Sequence, residues 1–227
     1  MRIHPIFRDR VDAGKTLAER VARSVRDPES LVLALPRGGV PVGFEVARVL
    51  HAELDIFLVR KLGLPGRDEL AIGAIASGGV RVLNKALVKE LRVSQNLIDQ
   101  ITAREDQELK RREELYRQGR PPVQVRDRTV ILVDDGLATG ASMKAASQAL
   151  RLQEPARIMV AVPVAAEETC DEFRMNVDEI VCAYTPQPFM AVGIWYENFS
   201  QTTDDEVQRL LKEAEQQAAT DHHEVGS

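Results

Sequence analysis

Residues able to do chemistry crowd into one string, VILVDDGLATGAS, running from Val130 to Ser142. An apolar run ends in two adjacent carboxylates, and a loop of small residues then opens a helix. Asp134 and Asp135 would stand at the C-terminal end of a buried strand, which is where an open parallel sheet binds its ligands. Gly136, Gly140 and Ala141 allow backbone N–H groups to approach an anion closely, and the new helix turns its positive end toward it. Thr139 and Ser142 add hydroxyls. Together these residues describe a phosphate cradle beside two acceptors for sugar hydroxyls. A second anion-suited turn is Pro36-Arg37-Gly38-Gly39, where a guanidinium and two glycine N–H groups suit a diphosphate.

Alternating elements must position these turns. A helical pattern over about Asp12 to Val25 places Leu17, Val21 and Val25 at four-residue spacing. The AGKT it contains lacks the remainder of a phosphate-binding P-loop, so Lys15 is read as solvated. LVLALPRGGVPVGFEVARVL reads as strand, tight loop and helix, and LDIFLVRK as another buried strand. ELAIGAIASGGVRVLN reads as two strands joined at Gly78-Gly79 by a two-residue hairpin turn, and LGLPGRDEL before it as a mobile loop. From Ser94 to about Gln118 the charges predict a mostly exposed inserted helix, capped by Ser94 and ended near Gly119. RTVILVDD, RIMVAVPV and EIVCAYTP predict three further buried strands, with helices near Ser142–Leu152 and Glu167–Met175 between them. Strands apolar throughout and separated by helices imply an α/β fold, a mainly parallel open sheet covered by helices on both faces.

The string VDDGLATGASM resembles the motif by which type I phosphoribosyltransferases bind 5-phosphoribosyl-1-pyrophosphate (PRPP), in the form nearest the adenine-type enzymes. The resemblance implies that Asp134 and Asp135 hold the ribose 2′- and 3′-hydroxyls. It further implies that Ala138, Thr139, Gly140, Ala141 and Ser142 hold the 5′-phosphate. PRGG stands where the family places its pyrophosphate loop, which assigns Arg37, Gly38 and Gly39 to that group. VRKLGLPGRDEL resembles the family's Arg-Lys pair and catalytic loop: either Arg60 or Lys61 would reach the pyrophosphate, and Leu62 to Leu70 would close over the reaction. The order of these segments is kept over most of Leu31 to Ala183, within a single domain whose core is about 31–184. The inserted helix, about 94–118, and a C-terminal hood and helix, about 185–217, lie outside the resemblance; residues 218–227 read as a frayed tail. In the hood, Trp195 or Tyr196 either stacks on a flat base or packs the hood against the core.

The implied activity is transfer of the phosphoribosyl group from PRPP to a nitrogenous base or amine, releasing pyrophosphate. Mg2+ would be carried by PRPP near Asp134 and Asp135 and not held directly by the protein. The 6-oxopurine enzymes carry an Asp inside this loop where Ala138 stands, which argues against a hypoxanthine or guanine acceptor. A PRPP-sensing protein without transferase activity is the alternative. A homodimer is the family-like expectation, with small molecules as partners.

Composition excludes other classes. The 227 residues are 44% hydrophobic and carry a net charge of -5 with interspersed signs, so no basic field is expected to hold nucleic acid. No apolar run predicts a membrane span or a signal peptide. Cys170 and Cys182 form no CxxC pair and have no neighbouring His cluster, so neither a disulfide framework nor a zinc site is indicated and a reducing cytoplasm is expected. His4, His51, His222 and His223 suggest no metal-binding set.

Overall fold

The architecture comes from a computed structural model that describes residues 4–25, 27 and 29–224, except the side chains of 68, 69 and 219–224. The first helix, α1 (Arg10–Ser24), begins where the Asp9 side chain accepts a hydrogen bond from the Asp12 N–H, and it buries Leu17, Ala18 and Val21. Then follow β1 (Leu31–Ala34), α2 (Gly39–Leu50) and β2 (Glu53–Ile56). A three-stranded excursion comes next, β3 (Val59–Leu64), β4 (Arg67–Ala76) and β5 (Val80–Leu83), with a short α3 (Lys85–Glu90) and the long α4 (Gln95–Arg117). The chain returns through β6 (Thr129–Val133), α5 (Ala141–Arg151), β7 (Arg157–Val164), α6 (Glu167–Arg174) and β8 (Glu179–Tyr184). A 3-10 turn (Val192–Trp195) and α7 (Asp204–Glu224) close it.

Five strands form one parallel sheet in the order β2-β1-β6-β7-β8. Alternation along each strand feeds two cores. Val32, Ala34, Ile131 and Val133 join the layer that contains α1, α2 and α7, whereas Leu31, Leu33, Val130 and Leu132 join the layer that contains α5 and α6. Both faces being apolar, the central strands β1 and β6 carry no polar alternation, whereas the edge strand β2 alternates Glu53 and Asp55 with Leu54 and Ile56. This is the α/β sheet expected from sequence.

Three expectations need correction in the middle of the chain. LDIFLVRK is two strands in different sheets: β2 ends at Ile56, and β3 pairs antiparallel with β4. The change occurs at Phe57, which still bonds Ala34 O (2.9 Å), and Leu58, whose N–H reaches Ser77 Oγ (2.9 Å). Leu54 to Leu58 are buried throughout, so hydrophobicity gives no sign of the bend. LGLPGRDEL is not an open loop but the tip of the β3–β4 hairpin, where Leu64 faces Arg67 and Gly66 takes a φ of +74°. At the other hairpin Ala76 faces Val80, so Ser77 joins Gly78 and Gly79 in a three-residue turn.

A fourth correction concerns the cysteines: Cys170 on α6 and Cys182 on β8 are joined by a disulfide. Separated by 12 residues, they come within 6.8 Å (Cα–Cα) because α6 folds back onto the strand that follows it. The pair therefore gives no ground for expecting a reducing compartment. Among the described residues no helix is long and apolar enough to cross a membrane. The last helix extends through Glu224, past the expected start of the tail; the His222 and His223 side chains and residues 225–227 lie outside the described residues.

Helix α4 keeps its expected ends. The Ser94 side chain accepts from the Leu97 N–H, and Gln118 and Gly119 stop the helix with positive φ. It is docked rather than free-standing, burying Ile98, Ile101, Leu109 and Tyr116. Its C-terminus is tied to the sheet by Arg117, which reaches Asp55 at 3.0 and 3.1 Å, Glu113 at 3.1 Å and Ile56 O at 3.2 Å. Both Arg117 and Asp55 are only 7% exposed at the side chain. Replacing Arg117 with Met would leave the Asp55 charge buried without its main partner, with an expected cost of about 3–5 kcal/mol. Urea unfolding checks this, and a loss below about 1 kcal/mol would show that the pair does not secure α4.

Candidate functional site

The strand order itself makes a crevice. After β1 the chain crosses through α2 to β2 on one side, and after β6 it crosses through α5 to β7 on the other. The two loops diverge from neighbouring strand ends, as at the topological switch point where open α/β sheets take their ligands. The loop after β1 is Pro36-Arg37-Gly38-Gly39, and the loop after β6 begins with Asp134 and Asp135.

These loops are fitted against each other. The Leu35 N–H bonds Val133 O (2.8 Å), and a Cβ on Gly38 would overlap the Asp135 carboxylate. A Cβ on Gly39 would meet Val133 O at 2.8 Å and Asp134 Cα at 3.0 Å. Gly38 and Gly39 are thus required by space, since two backbone segments and a carboxylate share one gap.

The remainder of the β6 loop is held from beneath. The Leu137 N–H bonds Val164 O, and Thr169 Oγ1 donates to Ala138 O at 2.6 Å. Gly140 turns into α5 with φ +66°, and a Cβ there would strike Phe173 at 2.7 Å. Ala138, Thr139, Ala141 and Ser142 remain exposed at the start of α5. There the first N–H groups of a helix have no intrahelical partner and suit an anion.

Asp135 does not stand alone. Arg10 donates to its Oδ2 through Nε (2.8 Å) and through a second nitrogen (2.8 Å), and also reaches Ser200 O at 2.7 Å. The Arg10 guanidinium lies 4.0 Å from the centre of the Phe199 ring. Asp134 Oδ1 accepts from the Asp135 N–H at 2.8 Å. Burial and the neighbouring Asp135 charge push the Asp134 carboxyl well above the usual carboxylate range. Burial also raises Asp135, and Arg10 offsets part of that rise.

Arg37, Gly38 and Asp135 meet in one cleft of about 410 Å³, whose other walls include Arg10, Phe199, Gln201 and Thr202. Across from them stand Arg111, Arg112, Leu115 and Tyr116 of α4, with Asp204 at the start of α7. The other residues singled out in the sequence lie elsewhere. Arg60 is bound to Glu105 of α4 (2.6–2.7 Å), and Lys61 is exposed on β3; neither lines this cleft. Trp195 and Tyr196 are 6% and 4% exposed and pack with Phe7, beside Phe189, so neither presents a face for stacking. Tyr196 instead donates its hydroxyl to Asp135 O at 2.5 Å. Arg10, Arg111, Arg112, Tyr116 and Asp204 carried no sequence motif, and Phe199 closes the aromatic stretch of the expected hood. In sequence the α4 arginines look like any solvated helix face.

The raised Asp134 carboxyl has a definite sign. A carboxyl that holds its proton more tightly when folded stabilises the fold less as pH rises from its ordinary range through the raised value. Asp134→Asn keeps the acceptor for the Asp135 N–H and removes the charge. The variant is expected to melt about 3 °C above the parent at neutral pH, with the gap closing below about pH 4. A gap constant across pH, or a lower melting temperature, would contradict the account of Asp134.

Residues 58–189 match the sequence pattern of the phosphoribosyl transferase domain. Two proteins of Mycobacterium tuberculosis, from strains CDC 1551 and H37Rv, are each 46% identical over 209 residues and are named provisionally as phosphoribosyl transferases. The match takes in 92% of this chain and 47% of theirs, so the chain spans about half the length of these curated relatives. The crystal structure of TT1426 from Thermus thermophilus shares 44% identity and a TM-score of 0.82, covering 91% of this chain and 98% of that one. With the matched span taking in more than half of the residues, and the paired carboxylates and their loop within it, this chain belongs to the phosphoribosyl transferase domain family.

Proposed function

We propose that the chain transfers the 5-phosphoribosyl group of PRPP to a nitrogenous base or amine, with release of pyrophosphate. The observation that carries this reading is the abutment of the two switch-point loops, with Gly38 against the Asp135 carboxylate. Such a crevice suits a ligand with phosphate at one end, sugar hydroxyls in the middle and diphosphate at the other.

In this reading the open loop from Ala138 to Ser142 takes the 5′-phosphate on helix-start N–H groups, and Asp134 and Asp135 accept the ribose hydroxyls. Arg37 and the Gly38 N–H face the pyrophosphate and stabilise charge that grows as it leaves, while the Gly39 N–H is already taken by Leu35 O at 3.0 Å and Gly39 serves the site by its lack of a side chain. The carboxylates also place negative charge near a sugar carbon becoming cationic. Arg10 orients Asp135 and offsets part of the burial that favours its neutral form, and Tyr196 fixes the backbone beneath it.

Mg2+ fits the same place. Asp134 and Asp135 are hard oxygen donors, and Mg2+ is commonly held by one or two carboxylates together with substrate phosphates. Among the described residues no group of three or more His, Cys, Asp or Glu could hold a metal ion by itself. When bound, the ion supplies charge neutralisation on the pyrophosphate.

A second reading is a PRPP-binding regulatory protein, favoured by one observation: Arg60 is occupied by Glu105, and neither Arg60 nor Lys61 lines the cleft. Pyrophosphate release should be followed with PRPP and Mg2+ against purine, pyrimidine and amine acceptors, beside a no-acceptor control and an Asp134→Asn/Asp135→Asn variant. Acceptor-dependent release, reduced at least about 100-fold in the variant, is expected. Tight PRPP binding without release across the panel would favour the regulator, and absence of PRPP binding would reject both readings.

A further inference from the structure

The cleft has a basic wall that the family's motifs do not account for. Helix α4 places Arg111 and Arg112 opposite Arg37, and both use Nε on one carboxylate, Glu108, at 2.7 and 2.8 Å. Sharing Glu108 holds the two guanidinium groups side by side and shortens the search for an anion. The helix behind them is fixed at several points. Glu105 binds Arg60 at its middle, Leu109 and Ile101 are buried, and Arg117 is tied to Asp55 at its end.

An oxyanion already sits between this wall and the Arg37 loop. Asp204 Oδ1 accepts from the Tyr116 hydroxyl at 2.7 Å and lies 3.4 Å from an Arg37 nitrogen. Burial and Asp204 together push the Tyr116 phenol up to about 12, so it stays a hydrogen-bond donor at neutral pH. Asp204 is at the first turn of α7 and is 42% exposed at the side chain, so it can swing away without disturbing a core. Its carboxylate marks a position where α4 and the Arg37 loop together bind an anionic oxygen.

We infer that Arg111, Arg112 and Tyr116 of α4 form, with Arg37, the diphosphate-binding wall of this protein, and that Asp204 occupies it as a placeholder until a diphosphate displaces it. The inference rests on the proposed reading of the crevice and deepens it. It transfers to α4 the basic role expected of Arg60 or Lys61, and gives Arg60 the task of anchoring the helix that carries it. No bond is made or broken by the wall. It holds the leaving group and its charge.

Isothermal titration with pyrophosphate and Mg2+ at low salt tests the wall directly. The Arg111→Gln/Arg112→Gln variant is expected to bind pyrophosphate at least about tenfold more weakly than the parent. Asp204→Asn is expected to bind it about threefold more tightly, since a competing charge is removed. Arg209→Gln, an exposed change on α7 beside Glu213, serves as the control for net charge and should leave affinity unchanged. Thermal melting confirms that each variant is folded. PRPP is titrated in parallel. If the parent binds PRPP but the double variant loses no pyrophosphate affinity, the wall is refuted while the proposed function stands. If Asp204→Asn binds more weakly, Asp204 is a ligand and not a placeholder. If the parent binds neither compound, the reading of the crevice falls with it.

Discussion

The contact on which the site depends is the one between Gly38 and the Asp135 carboxylate. A parallel sheet whose connections run one way from β1 and the other way from β6 opens a crevice between those two strand ends. What the fold supplies is only a gap. Filling it with two loops at van der Waals distance requires that the first carry no side chain where the second carries an acid, which is what Gly38, Gly39, Asp134 and Asp135 provide. The cost is electrostatic, since two carboxylates are half-buried side by side and both are pushed toward protonation. Arg10, arriving from a helix outside the sheet, offsets part of it.

That cost explains why so many peripheral elements converge on one point. Arg10 is held by Ser200 O and lies against Phe199, both in the segment after β8. The same segment is stitched to the N-terminus through Phe7, whose N–H bonds Trp195 O and whose carbonyl accepts from Glu197. Tyr196 then reaches Asp135 O from behind. The aromatic cluster of the hood is therefore a brace: it fixes Arg10 and the acidic loop relative to each other. Rings committed to that packing are not available to a ligand, which is why Trp195 and Tyr196 present no base-binding face and only Phe199, at the end of the same aromatic stretch, lines the cleft.

The sheet and the helices on its faces were legible because the central strands are apolar on both sides and the helices keep their period, with side-chain caps at the starts of α1 and α4. Ser94 and Gln118–Gly119 bound α4 where the sequence put them. The two loops that meet at the crevice were legible for a different reason: glycines and carboxylates at a strand end have few other uses. Three features stayed hidden. The bend at Phe57-Leu58 passes between two buried environments and leaves no polarity signal. The Cys170–Cys182 pairing depends on α6 lying on β8, a tertiary fact that spacing alone does not contain. The basic face of α4 reads in one dimension as the exposed side of an amphipathic helix, because Glu108, Arg111 and Arg112 are spaced as ordinary helix-surface ion pairs.

The last point bears on where specificity can reside. With Trp195 and Tyr196 buried, the open parts of the cleft walls include the partly exposed Phe199, the exposed Gln201 and the basic side of α4. A flat acceptor would find one ring there, and that ring already carries Arg10 at 4.0 Å on its face. An acceptor that stacked on the same face would have to displace the guanidinium that holds Asp135, loosening the ribose site as it bound. Under the phosphoribosyl-transfer reading, acceptor binding would thus be coupled to the state of Asp135 through a single arginine. Under the phosphoribosyl-transfer reading, an acceptor that leaves the Arg10–Phe199 contact in place and approaches along Gln201 disturbs the site least.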